Sequence, residues 1–163
     1  MNQAGHLDAI YQIATQITKD IFDADSAVIA TWSDDPGLLE VSTAEGNPPA
    51  FRIGEKVSNE NKLYYQPVEE YRILISTEDK SGSEPNIHSA IAGPIFASDK
   101  KLGVLVVNRQ KPPVFDKQDE NFMAQLLSIL NAEVENRNLF EAIENALSVT
   151  EEQARRLTEL NKL

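Results

Sequence analysis

The stretch from Ser89 to Glu141, SAIAGPIFASDKKLGVLVVNRQKPPVFDKQDENFMAQLLSILNAEVENRNLFE, decides the fold. Its first part reads as a hairpin. Ala90 to Phe96 and Leu102 to Val107 are short apolar runs, and Ser98-Asp99-Lys100-Lys101 between them is a polar turn. Runs this continuously apolar describe strands covered on both faces. Pro94 has no N–H to give to a ladder, so it demands a bulge or an edge-facing position in its strand. Beyond the hairpin, Asp116 opens a helix. Its carboxylate can cap free backbone amides, while Asp119 and Glu120 sit in the first turn at the positive end of the dipole. The last glycine is Gly103 and the last proline Pro113, so no breaker interrupts this helix before Leu163.

The N-terminal end carries a second helix. Leu7, Ile10, Ala14, Ile17 and Ile21 recur at alternating steps of three and four, which places them along one stripe in need of a partner surface. Between the helices, Ser26 to Thr31 and Leu38 to Thr43 read as strands around a turn at Asp34-Asp35-Pro36-Gly37. Arg72 to Ser76 adds a further candidate strand, and the rest of Phe51 to Ser89 reads as irregular. Helix, strands, irregular segment, strands, helix is the order of an α+β domain, with an antiparallel sheet and helices gathered largely on one side.

Composition narrows the function. The 163 residues suffice for one domain with a real core. A formal net charge of −11 repels phosphate backbones and anionic lipid headgroups, which argues against nucleic acid as a direct partner. The absence of cysteine excludes disulfides, thiolate metal sites, thioether-linked cofactors and cysteine nucleophiles. Apolar runs such as Leu102 to Val107 are far shorter than the ~20 residues that span a bilayer, so no membrane insertion is expected. The first residues lack the basic cluster of a secretion signal, and the expected location is the cytoplasm.

Taken together, the paired strands, the Gly103-Val104-Leu105 core, the aromatic Phe115 before an acidic helix start and the long departing helix resemble the second half of a GAF domain. Leu7 to Ile21 and Ala27 to Ala30 are similar to that family's first helix and strand, so the resemblance spans about Leu7 to Phe140. It implies a six-stranded antiparallel sheet with flanking terminal helices, as used in bacterial-type signalling proteins for small-molecule sensing and dimerisation, in the regulatory regions of sensor kinases, phosphatases or cyclases. Asn108, Arg109, Phe115, Asp119 and Glu120 are similar to the Asn-Lys, Phe, Asp-Glu pattern of GAF domains in cyclic-nucleotide phosphodiesterases, with arginine for lysine. That likeness implies a basic–acidic pair below a pocket. The residues taken by themselves also read as an ordinary strand end, an apolar anchor and first-turn acids. Some free-standing GAF proteins reduce methionine sulfoxide through cysteine sulfur, and phytochrome-like relatives attach a bilin to cysteine. This chain has no thiol for either, although noncovalent pigment binding stays open, and the cofactor is left unassigned.

Catalytic residues are not assigned, because no nucleophile motif, phosphate-cradling loop or metal-ligand spacing is present. His6 and His88 are too few for a metal cluster, so no metal site is expected. His88 is either a ligand-facing or an ordinary strand-end histidine. Relatives cover their pocket with the region matched here by Phe51 to Ser89, which makes Tyr64, Tyr65, Tyr71 and Arg72, with His88, the candidate ligand contacts. Their other reading is packing: tyrosine rings laid over the sheet, and Arg72 paired with Glu69 or Glu70.

The last helix has apolar residues on two faces, Phe122, Leu126 and Ile129 on one and Met123, Leu127, Leu130 and Val134 on the other. Beyond them, Leu139, Ile143, Leu147, Thr150, Ala154 and Leu157 continue at steps of 4, 4, 3, 4 and 3, the thin seam of a parallel coiled coil with a stutter. A lone projecting helix buries too little to stay ordered, so a homodimer is expected. Ile10, Ile17, Ile21, Leu130, Val134, Leu139, Ile143, Leu147 and Leu157 are its contact residues. The expected division is a GAF-like domain over 1–140 and a signalling helix over 141–163. The seam is still running at Leu163, which fits a fragment of a longer signalling protein or an adaptor that associates with an output domain. The reading is a non-catalytic sensory and dimerisation module, and the alternative is a ligand-free GAF scaffold.

Overall fold

The structure is a computed structural model that describes residues 3–46, 51–77 and 89–161, with side chains from residue 7 to 137 of those segments, at 143–147 and at 155. Its elements run α1 (Gln3–Ile21), β1 (Ser26–Trp32), β2 (Leu39–Gly46), β3 (Lys56–Val57), α2 (Lys62–Glu70), β4 (Leu74–Ser76), β5 (Ser89–Ala97), β6 (Lys100–Arg109) and α3 (Lys117–Asn161). The six strands form one antiparallel sheet in the order β3-β2-β1-β6-β5-β4. Both expected hairpins are present, β1–β2 and β5–β6. β4 reaches only as far as Ala92, so Pro94 lies where β5 has no outer partner among the described residues, and the register shifts just beyond it between Ile95 and Phe96.

Two cores sandwich the sheet. On one face α1 and α3 cover Ile29, Ile91, Ile95, Leu105 and Val107 with Tyr11, Phe22, Met123, Leu127 and Val134. On the other, α2 lays Tyr64, Tyr65 and Val68 over Val28, Ala30, Ala92, Val104 and Val106. That second layer corrects the sequence reading, which left this region irregular apart from one strand and gathered the helices on one side. α2 is nine residues long and contains Pro67, which suppresses its helical signature. It is nevertheless held because its buried face has a sheet to cover. Tyr71, in the left-handed region at φ 52°, closes it, and the Arg72 amide donates back to the Pro67 carbonyl at 3.3 Å.

The terminal helices also bury a different set of residues from the expected one. α1 turns Tyr11, Thr15, Thr18 and Phe22 inward, with Leu7, Ile10 and Ala14 half-buried beside them, while Ile17 is 46% and Ile21 47% exposed. The two threonines are tolerated in the core because their hydroxyls donate to carbonyls of their own helix, Thr15 to Gln12 at 2.8 Å and Thr18 to Ala14 at 2.7 Å. On α3 the face chosen by the sheet is Met123, Leu127, Leu130 and Val134, all buried. Leu130 and Val134 therefore belong to the domain's own core and not to the dimer seam expected of them. The face left outside carries Phe122 and Ile129, the latter 69% exposed. Ile143 and Leu147 are exposed further along, and the side chains of Leu139 and Leu157 lie outside the described residues.

Candidate functional site

Two places hold the residues singled out from sequence. The first is the face under α2. Tyr65 is 4% exposed, and its hydroxyl donates to the Val57 carbonyl at 2.6 Å while accepting from the Leu39 amide at 2.8 Å. It thereby ties α2 to the β2–β3 edge. Tyr64 is buried beside it, edge-on to Phe51 at 5.2 Å between ring centroids. Both rings pack over the sheet in the second core. Tyr71 and Arg72 leave that space. Tyr71 lies outside against Phe96, and Arg72 pairs with Glu70 at the surface. The Arg72 hydrogen bond, followed by that of Gln66, holds the Glu70 carboxyl below its usual range. His88 lies outside the described residues. The candidate ligand contacts thus divide into two buried rings and two surface groups.

At the Ser26 end of β1 the same face ends in polar groups. Asn108 and Ser26 are paired across β6 and β1, and the Asn108 amide nitrogen donates to the Ser26 hydroxyl at 3.1 Å. The Asn108 side-chain oxygen is buried and has no hydrogen-bond partner among the described residues. Ala90 stands opposite Asn108 on β5, so the row is narrow as well as polar.

The second place is the corner where α1 ends and α3 begins. Arg109 is only 13% exposed and works mainly on backbone. Its Nη2 and Nε donate to the Phe22 carbonyl at 2.6 and 3.1 Å, and its Nη1 to the Pro113 carbonyl at 3.2 Å. The guanidinium lies 4.2 Å over the Phe115 ring. Asp119 is 3.9 Å from it, a looser contact, and Glu120 pairs with Lys117 instead. Phe115 and Phe122 both meet Phe22 edge-on. Asp116 is the cap of α3: its carboxylate accepts from the Asp119 amide at 3.0 Å, and the Asp119 carboxylate accepts from the Asp116 amide at 2.9 Å. These bonds, led by that from the Asp119 amide, hold the Asp116 carboxyl below its usual range. The motif is therefore a corner clamp between the two terminal helices. Its chief acceptors are main-chain oxygens, which a side-chain pattern does not reveal.

Among the described residues no group of three or more acidic or histidine side chains is placed to hold a metal, and no helix is long and apolar enough to cross a membrane.

The family model described as GAF domain matches residues 6–134. The chain belongs to the GAF domain family. Comparison with curated proteins gives no match. The fold is shared with solved GAF domains at low identity. The blue-light-absorbing form of the PixJ GAF domain from Thermosynechococcus elongatus is 13% identical with a TM-score of 0.72, covering 90% of this chain and 95% of that one. The second GAF domain of DevS from Mycobacterium smegmatis is 15% identical with a TM-score of 0.73, covering 84% and 99%. Free methionine-R-sulfoxide reductase from Neisseria meningitidis is 14% identical with a TM-score of 0.67, covering 81% of each chain. GAF domains of signalling proteins are sensory or regulatory modules, and the six-stranded sheet with its flanking helices is the architecture they share.

Proposed function

We propose that this GAF domain is a non-catalytic sensory and dimerisation module, in which a small effector on the α2 face biases the arrangement of the terminal helices and so regulates an attached or associated output domain in the cytoplasm. One observation carries the reading. α3 spends Met123, Leu127, Leu130 and Val134 on its own sheet, yet continues as one helix to Asn161 with Ile129, Ile143 and Leu147 exposed. Single exposed apolar residues are unremarkable, but a helix of 45 residues that projects past its domain needs cover to remain ordered. A second copy supplies it, with Ile17 and Ile21 of α1 beside Phe122 and Ile129 of α3 in the same interface. In this reading residues 1–140 sense and residues 141–163 transmit. An effector regulates only if it binds one helix arrangement better than the other.

Asn108 favours a ligand on the α2 face, since its buried oxygen meets no donor among the described residues. Tyr64 and Tyr65 favour the second reading, a ligand-free scaffold, because their rings are already buried in the core over the sheet. Sedimentation and a thermal-shift screen test both. The sensor is stabilised by at least one small molecule, whereas the scaffold responds to protein concentration alone. Replacing Ile143 and Leu147 by glutamate is expected to weaken association, and a strictly monomeric wild-type protein at high concentration would refute the dimer.

A further inference from the structure

The tip of the β5–β6 hairpin is gripped from both faces of the sheet. On the α2 side, the Tyr71 ring stands edge-on to Phe96 at 5.5 Å, and its hydroxyl donates to the Asp99 carbonyl at 3.3 Å. The Lys101 ammonium lies 4.8 Å over that same ring and donates to the Glu69 carbonyl in the last turn of α2 at 3.2 Å. On the α3 side, the Phe96 amide donates to the side-chain oxygen of Asn131 at 3.1 Å, and the Asn131 amide donates to the Pro94 carbonyl at 3.5 Å. One turn later, Glu135 accepts from the Ser98 hydroxyl at 2.8 Å. Phe96 is thus held by its ring from one side and by its backbone from the other. It sits at the register shift of β5, where the regular ladder does not fix the strand. Tyr71 and Ser98, one on each side, are both non-glycine residues in the left-handed region, at φ 52° and 53°.

These contacts differ in kind from the rest of the sheet–helix packing. Across the body of the sheet α3 meets β5 through apolar side chains, whose attraction is non-directional and tolerates sliding. The Asn131 and Glu135 hydrogen bonds are directional and specify one axial position of α3. We propose that the β5–β6 tip is a two-sided clasp that couples the seat of α2 to the axial register of α3, with Phe96 as the shared part. The inference rests on the proposed function in one respect: it says how a change on the α2 face reaches the projecting helix. Lifting the end of α2 withdraws Tyr71 and the Glu69 carbonyl that Lys101 holds, frees the ring of Phe96, and loosens the amide that Asn131 holds.

Amide hydrogen exchange on the ligand-free full chain tests the clasp. Tyr71→Gly removes the ring while suiting the left-handed backbone, so α2 keeps its closing turn. Exchange at residues 128–136 of α3 is expected to quicken about tenfold, with that of α1 unchanged. In the opposite direction, Asn131→Leu is expected to quicken exchange at Tyr71 and Arg72 by a similar factor. Lys101→Met, a change at the half-buried start of β6, is the milder second variant and is expected to act as Tyr71→Gly does. Loosening confined to the mutated side overturns the proposal, and so does an equal rise in α1 and the central strands, which reports global destabilisation. No effector is used, so failure here leaves the sensor reading standing. A failed ligand screen likewise leaves the clasp standing.

Discussion

Replacing Tyr65 by phenylalanine removes one oxygen from a ring that is otherwise unchanged. That oxygen is the acceptor for the Leu39 amide and the donor to the Val57 carbonyl, and the residue is 4% exposed. A buried polar group left without a partner costs about 1–3 kcal/mol, and here one donor is stranded and one acceptor loses a bond, for a combined loss of about 3 kcal/mol. With a urea dependence of about 2 kcal/mol per molar, the midpoint falls by about 1.5 M. In a chain of this size the melting temperature falls by roughly 6–12 °C. Urea titration followed by Trp32 fluorescence measures this at one fixed protein concentration, because the proposed dimerisation would make apparent stability concentration-dependent. Tyr71→Phe is the control: its ring is 44% exposed, and the expected change is within about 0.5 kcal/mol. If Tyr65→Phe costs less than about 0.5 kcal/mol in the absence of any ligand, its hydroxyl is not structural, and the assignment of this ring to the β2–β3 edge is refuted.

Three further outcomes follow from the packing. A Cβ at Gly93 would stand 2.2 Å from a methyl of Leu127, so Gly93→Ala is expected to destabilise by about 1–3 kcal/mol in urea titration, with Leu127→Ala recovering less than additivity predicts as loss. Arg109→Lys keeps the charge but loses the planar fork over Phe115 and the paired bonds to Phe22, and is expected to lower stability by about 2 kcal/mol by the same measurement. Asp116→Asn is expected to melt earlier than wild type at pH 7. Because the folded Asp116 carboxyl is held below its unfolded value, its contribution is present above about pH 4 and is lost as pH falls through the lowered folded value. Melting curves from pH 7 down to pH 2 should therefore show the gap closing, and a constant gap would remove the carboxylate from the cap.

What the sequence determined by itself is local. The β5–β6 turn, the β1–β2 turn, the acidic opening of α3 and the long reach of that helix are written in adjacent residues, because turn chemistry, capping and the absence of breakers act over a few positions. The order of these signals was enough to suggest the family. The tertiary structure decided what depends on distant surfaces. Periodicity showed two apolar faces on α3 but could not say which one the sheet would take, and the sheet took Leu130 and Val134 from the expected seam. α2 is short and contains Pro67, so it is identified by the sheet it covers and not by its own pattern. Tyr65, Arg109 and Asn131 find their partners largely in backbone groups of remote segments. Every residue carries such groups, so composition and spacing cannot single out the few that a given side chain meets; only the folded chain brings them within hydrogen-bond range.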